Sequence, residues 1–477
     1  MTQVNSRVRN LGTASARDAE TLHQESLSLL ERVGIRVQLS EARDLLAKAG
    51  ARVTNDRVRI PPELVEIALS ACSHSLTLRR VDGTEVRLVD GEMLHSTGCH
   101  RLAVLDHVTG ETRSSTLEDA RVLTRLANAL KHIDAITLMV SARDLPFPAS
   151  EIRALETLVA FTEKLLYLAP PDLLEAQTLL DMADIVARDG AAPSVLLFVS
   201  PTSPLTLAAE PTRILLEGVR RGAVLLLGSC ASAGATSPVT LAGTLLQHNA
   251  ETLAAIVLAQ LAREGTPIIY DAASTIADLR SGVFSLGAVE YSLLTDALIP
   301  LVNRYELPVS TTCDTTSPFI DVQNGLQKML GYFCMMGSGV NFSKNAGSLG
   351  NGTILSAEQM VIDSEIIAVA ERFFAGIDVD TEHLAADVIE DVGPGGEYLT
   401  TRHTLEHCRS GEHFVSQLLN MQNAEAPSMR SRACARIEDL LAGECYCVSD
   451  ARRRELAAYA DEQISRQEKA AGSGHSP

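Results

Sequence analysis

From residue 135 to residue 347 the chain repeats one unit, a short and nearly continuous apolar run followed by a helical stretch. The runs are "AITLMVSA" (135–142), "LLYLAPP" (165–171), "SVLLFVSP" (194–201), "AVLLLGSC" (223–230), "TPIIYDAAS" (266–274), "LPVSTTC" (307–313) and "GVNFSKNAG" (339–347). Helices are expected at 172–188, 209–221, 238–263, 287–305, 321–336 and 357–375. Strands with one wet face alternate polar and apolar residues. These do not, so both faces must be buried, and strands separated by helices then form a parallel sheet. Glycine-bearing stretches such as "GSCASAGATS" lack the G-x-G-x-x-G spacing of a dinucleotide fold. The expected fold class is therefore α/β, a TIM (β/α)8 barrel. Seven strands are legible, and "GPGGEYLTTRHT" (393–404) is the candidate for the eighth.

Helix punctuation supports this division. Ser237-Pro238 reads as an N-cap with proline at the first position, Ser356 with Gln359 as a capping box, and Gly376 as a stop. The expected organisation is an N-terminal region of helices and hairpins (1–130), the barrel (131–410), then C-terminal helices and a frayed tail (411–477). Within the first region, 16–34 and 60–72 read as helices, and 76–88 and 101–113 as hairpins.

A 46% hydrophobic content over 477 residues supplies a large core, and the net charge of -19 argues against nucleic acid or an anionic membrane as partner. No stretch reaches about 18 uninterrupted apolar residues, and the first twenty lack an apolar signal core. Nine cysteines without framework spacing suit a reducing compartment. A cytoplasmic protein, homo-oligomeric like many large barrels, is expected.

Barrel active sites form where strands run out at the C-terminal face. Here the late strands end in Ser200-Pro201-Thr202-Ser203, Ser229-Cys230, Tyr270-Asp271, Thr312-Cys313-Asp314 and Ser343-Lys344-Asn345. Turns and helix caps need polar residues too. Asp314 and Asn345 stand out because each follows an apolar strand and both could face one cavity.

Four stretches carry a more specific signal: "ATSPVTLAGTLLQHNAETLAAIVLAQL" (235–261), "ADLRSGVFSLGAVEYSLL" (277–294), "IDVQNGLQKM" (320–329) and "NAGSLGNGTILSAEQMVIDSEI" (345–366). Together with "LAVLDHVTGETRSSTLEDARVLTRLANAL" (102–130), they resemble the trimethylamine methyltransferase family, in order, over roughly residues 16–467. The resemblance implies a TIM barrel that moves a methyl group from an amine to the Co(I) of a separate corrinoid protein. The methanogen trimethylamine enzymes of the family carry pyrrolysine just before the segment matching "DVQNG". That place falls near Ile320, within Pro318-Phe319-Ile320. An ordinary residue there resembles the non-pyrrolysine branch, whose members act on quaternary amines such as glycine betaine, proline betaine and carnitine.

The chemistry asks little of the protein. Loss of a methyl from a quaternary ammonium releases a neutral tertiary amine, and Co(I) is already a strong nucleophile. The protein must align the N–CH3 bond and exclude water, without a general base. A substrate cation wants aromatic faces or carboxylates. Phe198, Tyr270, Phe319 and Phe342 are the aromatic candidates, with Asp271, Asp314 and Glu290 as anions. A substrate carboxylate would be met by Arg280, Asn345, Lys344 or Gln323. Asp314, Glu290 and Gln323 are assigned to the reacting centre, and the others, with Ile320, to substrate binding. The polar patch Gln247, His248, Asn249 and Glu251 reads equally as a solvated helix side or a site. No metal is expected: "HSTGCH" (95–100) and "CYC" (445–447, with Cys434) lack a second ligand pair at zinc spacing. Methyl transfer to another acceptor such as a folate, a silent betaine-binding protein, and a lyase or aldolase using Lys344 remain as other readings.

Overall fold

The computed structural model describes residues 11–73, 75–88, 93–188, 190–408, 410–419, 426–443 and 446–473. Eight parallel strands close into a barrel: β1 (Leu94–Thr97), β2 (Ala135–Ile136), β3 (Leu165–Leu168), β4 (Val195–Val199), β5 (Val224–Leu227), β6 (Ile268–Asp271), β7 (Val309–Thr312) and β8 (Phe342–Ala346). Each strand pairs with its successor, and β8 closes onto β1 with Phe342 opposite Leu94. The helix after each strand completes the unit: α1 (Leu117–Ala129), α2 (Ala149–Ala160), α3 (Leu173–Ile185), α4 (Ala209–Arg221), α5 (Leu241–Ala262), α6 (Val289–Arg304), α7 (Val322–Ser338) and α8 (Ala357–Ala375).

The eighth strand is not where the sequence pattern sought it. Residues 393–404 form turns leading into a short helix, Arg402–His407, with Gly393 and Gly395 at φ 66° and 81°. These left-handed positions break an extended run. The missing strand is instead the first, Leu94–Thr97, drawn from within residues 1–130. Its polar residues His95, Ser96 and Thr97 hide it from a hydrophobicity count, yet all three are buried.

Alternation along the strands sorts the interior into two layers. Leu94, Ala135, Leu165, Tyr167, Leu196, Phe198, Val224, Leu226, Ile269 and Phe342 pack together in the lumen. Their strand neighbours, such as Leu166, Leu197, Leu225, Ile268 and Tyr270, pack outward against the helices. The hairpin expected at 76–88 forms (Leu76–Arg79 with Glu85–Leu88), and Leu76, Leu78 and Leu88 plug the lumen from below.

The N-terminal helix, Ala16–Arg32, opens on a capping box between Ser15 and Asp18. It docks on α5, where Asn249 Nδ2 donates to Ser26 Oγ at 2.9 Å. The helix at 60–72 spans Pro62–Ser70, and the hairpin at 101–113 pairs Ala103–Leu105 with Thr112–Ser114. Helix α5 starts at Leu241, after Ser237-Pro238; Pro238 contributes its carbonyl, which accepts from Thr244 Oγ1 at 2.9 Å. Ser356 caps α8 by accepting from Gln359 N, but the Gln359 side chain turns to Asp363 and Asn324 instead of closing a capping box. Of the C-terminal helices, Met429–Leu441 packs on α8 and α1, with Arg430 bonded to Glu358, and Asp450–Ser473 packs on α2 and α3. Cys445 and residues 474–477 lie outside the described residues. No described helix is long and apolar enough to cross a membrane.

Two buried histidines make this fold acid-sensitive. His95 and His248 each bond through Nδ1, to Ser343 Oγ at 2.7 Å and to Ser274 Oγ at 2.8 Å, while among the described residues neither Nε2 has a hydrogen-bond partner. Burial pushes both imidazoles down to about 4 from 6.5. The unfolded chain therefore takes up protons first as pH falls through 6.5, and stability is lost between there and pH 4. Linkage gives about 2 kcal/mol per histidine between pH 7 and pH 5. Urea unfolding at the two pH values should show the loss, and a His248→Asn variant should flatten it. Equal slopes for variant and parent would refute the assignment.

Candidate functional site

The C-terminal ends of β6, β7 and β8 bring opposite charges together. Asp271, the last residue of β6, pairs with Lys344 of β8; both side chains are almost wholly buried. The Lys344 ammonium also stands 4.4 Å from the centre of the Phe198 ring on β4. Burial raises the Asp271 carboxyl above its ordinary value, and Lys344 opposes that rise. Gly228, just past β5, lets the Asp271 backbone come close, because a Cβ there would lie 1.9 Å from the Asp271 carbonyl oxygen. Below the pair, Phe342 and Tyr167 meet edge-to-face at 5.7 Å. Cys230, three residues past β5, is exposed. The mouth is thus open to solvent close to the charge pair.

One strand further round, Asn345 Nδ2 donates to Asp314 Oδ2 at 3.0 Å, and Arg101 Nη2 stands 4.0 Å from the same oxygen. Asn345 adopts φ 77°, a conformation Asn tolerates better than most residues, and its carbonyl accepts from Lys328 Nζ at 3.0 Å. The buried Lys328 also bonds the Cys313 carbonyl at 3.2 Å and Asp363 at 3.0 Å. It therefore ties the ends of β7 and β8 to α8.

Of the residues singled out from sequence, the fold gathers Phe198, Asp271, Phe342, Asp314 and Asn345 around the upper lumen, with Lys344. Tyr270 is placed elsewhere. It precedes Asp271 on a strand, so the two must face opposite ways, and its hydroxyl donates to Asn249 Oδ1 at 3.1 Å in the outer layer. Phe319 is 65% exposed on the rim. Ile320 packs beside Leu349 and Ile354. Arg280 is exposed in a turn where its amide donates to Asp278. Gln323 is exposed and donates to Thr316 Oγ1 at 2.7 Å. Glu290 is half-buried in the first turn of α6, where the helix dipole favours an anion.

The polar patch on α5 is not solvated. Glu251 is fully buried, accepting from Ser203 Oγ at 2.7 Å, the Leu205 amide at 2.6 Å, Gln247 at 2.9 Å and the Ser229 hydroxyl. It fastens the loop after β4 to the end of β5. Sequence reasoning passed over Arg101, Tyr167 and Lys328. The spacing rules that mark motifs do not mark contacts 15 to 35 residues apart, such as those of Lys328.

A crevice of about 1310 Å3 lies at the opposite end, against Met93, Leu94, Asp134 and Val340, where strands begin. In barrels that end serves stability, whereas chemistry collects at the strand C-termini. The charge pairs and the exposed Cys230 single out the latter end here.

A family model described as trimethylamine methyltransferase matches residues 1–468. A trimethylamine methyltransferase, MttB, of Desulfitobacterium hafniense is 30% identical over 416 residues, 85% of this chain and 84% of that protein. A glycine betaine methyltransferase of the same species is 28% identical over 437 residues, 89% of this chain and 91% of its own. The crystal structure of the Methanosarcina barkeri monomethylamine methyltransferase (MtmB) aligns with a TM-score of 0.50 at 12% identity, covering 89% of this chain and 87% of that one. This last likeness bears on the fold alone.

Proposed function

Because the chain belongs to the trimethylamine methyltransferase family and is a methyltransferase acting on amines, we propose that it demethylates a quaternary amine of the glycine betaine kind. We propose further that the methyl passes to the Co(I) of a corrinoid carried by a partner protein. The observation that carries this reading is the mouth itself, where an ammonium already rests between an aromatic face and a carboxylate. A site that holds Lys344 in this way has the chemistry to hold a substrate cation. Asp314 offers a second anion, and Arg101 beside it offers a cation for a substrate carboxylate. A zwitterion therefore finds both partners.

Asp271 and Asp314 orient the N–CH3 group, and the packed lumen beneath excludes water. Bound at the mouth, the partner's corrinoid supplies the nucleophile, so no side chain here need act as a base. The rim suits a bulky partner: Phe319, Val322 (87% exposed) and Leu326 (67% exposed) present apolar surface to solvent.

Melting the protein with glycine betaine, carnitine, proline betaine, trigonelline, choline and trimethylamine tests the substrate class. A ligand at about 100 times its dissociation constant stabilises by roughly 2.7 kcal/mol. At least one quaternary amine should raise the melt and release its demethylated amine when reduced cobalamin is supplied. Stabilisation by trimethylamine alone, or release that is independent of cobalamin, would refute the reading.

A further inference from the structure

Three further ligating groups converge on the same face of the barrel, outside the charge pairs described above. His100 follows β1, Glu151 lies in the first turn of α2 and Glu175 in the first turn of α3. One nitrogen and two carboxylate oxygens from these residues all lie within 4.8 Å of one another. His100 Nε2 and Glu175 Oε1 approach to 2.8 Å, with the Glu175 side chain only 4% exposed. These two atoms form a close ion pair, and among the described residues the buried Glu151 Oε2 has no hydrogen-bond partner. The His100 backbone is held at φ 54°, with its amide bonded to the Leu138 carbonyl at 2.8 Å.

Charge makes the arrangement costly as it stands. Two carboxylates share a single imidazole, so even a protonated ring offsets only one of their two charges. A divalent ion balances both carboxylates with the ring neutral and gives Glu151 Oε2 a partner. One imidazole and two carboxylates suit zinc, whose catalytic sites take three protein ligands and leave a position for water or a ligand oxygen. We infer that His100, Glu151 and Glu175 form a zinc site at the barrel mouth. Spacing within "HSTGCH" gave no hint of it, because the two glutamates come from α2 and α3, 51 and 75 residues further on.

Tag-free full-length protein, incubated with zinc chloride and desalted, should retain one zinc per chain by mass spectrometry. Titration of the chelator-stripped protein should give a single site. His100→Ala, Glu151→Gln and Glu175→Gln should each weaken that affinity by roughly 100-fold, with circular dichroism confirming the fold. Cobalt(II) substitution of the unaltered protein provides a readout independent of variants, and its spectrum should lack thiolate charge transfer. Failure to retain zinc, retention unchanged in the variants, or a thiolate band from Cys99 would each overturn the assignment.

Discussion

Replacing Lys344 by methionine is expected to destabilise the protein by about 3–5 kcal/mol, since it strands the buried Asp271 carboxylate without its counter-charge. Asp271→Asn should cost a similar amount by stranding the ammonium. The Asp271→Asn/Lys344→Met double variant removes both charges together, so most of the stability should return, within about 1–2 kcal/mol of the parent. Demethylation should not return with it. All three variants lose the carboxylate or the ammonium that shapes the mouth, and each is expected to fall about 100-fold or more in kcat/KM, near 3 kcal/mol of transition-state stabilisation. Urea unfolding and amine release, measured on the same preparations, separate the two effects. A double variant that recovers activity along with stability would reduce the pair to a structural fastening and remove Asp271 from the substrate's surroundings.

The second large effect is expected at Lys328, which the chain buries completely. Its ammonium bonds the carbonyls of Cys313 and Asn345 and the carboxylate of Asp363. Asp363 in turn accepts from the Gly347 amide at 2.7 Å and from Gln359 at 2.8 Å. Lys328→Met therefore takes the ammonium from two strand-end carbonyls and leaves the buried Asp363 carboxylate without its counter-charge, at a cost of about 3–5 kcal/mol. Loss of function should exceed what partial unfolding explains, because Asn345 is the residue that meets Asp314. Assayed well below its melting temperature, this variant should bind substrate weakly even while folded. Full activity in the folded fraction would show that the mouth does not depend on this fastening.

Lys328 also shows where pattern reading loses its grip. Helix α7 was legible as a helix, but the faces of its first two turns are inverted. Val322 and Leu326 face solvent, whereas Asn324 and Lys328 are buried. Periodicity identifies a helix because residues three and four apart share a face. It assigns the inner face by hydrophobicity, and at an active-site rim that rule gives way to charge pairing within and apolar docking surface without.

The repeating apolar runs by themselves determined a closed parallel barrel, because strands buried on both faces and joined by helices have few other ways to hide. The polar ends of those runs likewise marked one rim as the place for chemistry, and the quoted segments marked the family. Tertiary structure alone decided the rest. It recruited His95, Ser96 and Thr97 into a strand through pairing with β8, a contact some 248 residues distant in sequence. It turned Tyr270 outward and Asp271 inward, and it set Lys344 on Phe198 and two helix-borne glutamates beside His100. Such choices rest on contacts between remote segments, where each charge is held by a partner that no local period of 2 or 3.6 residues can specify.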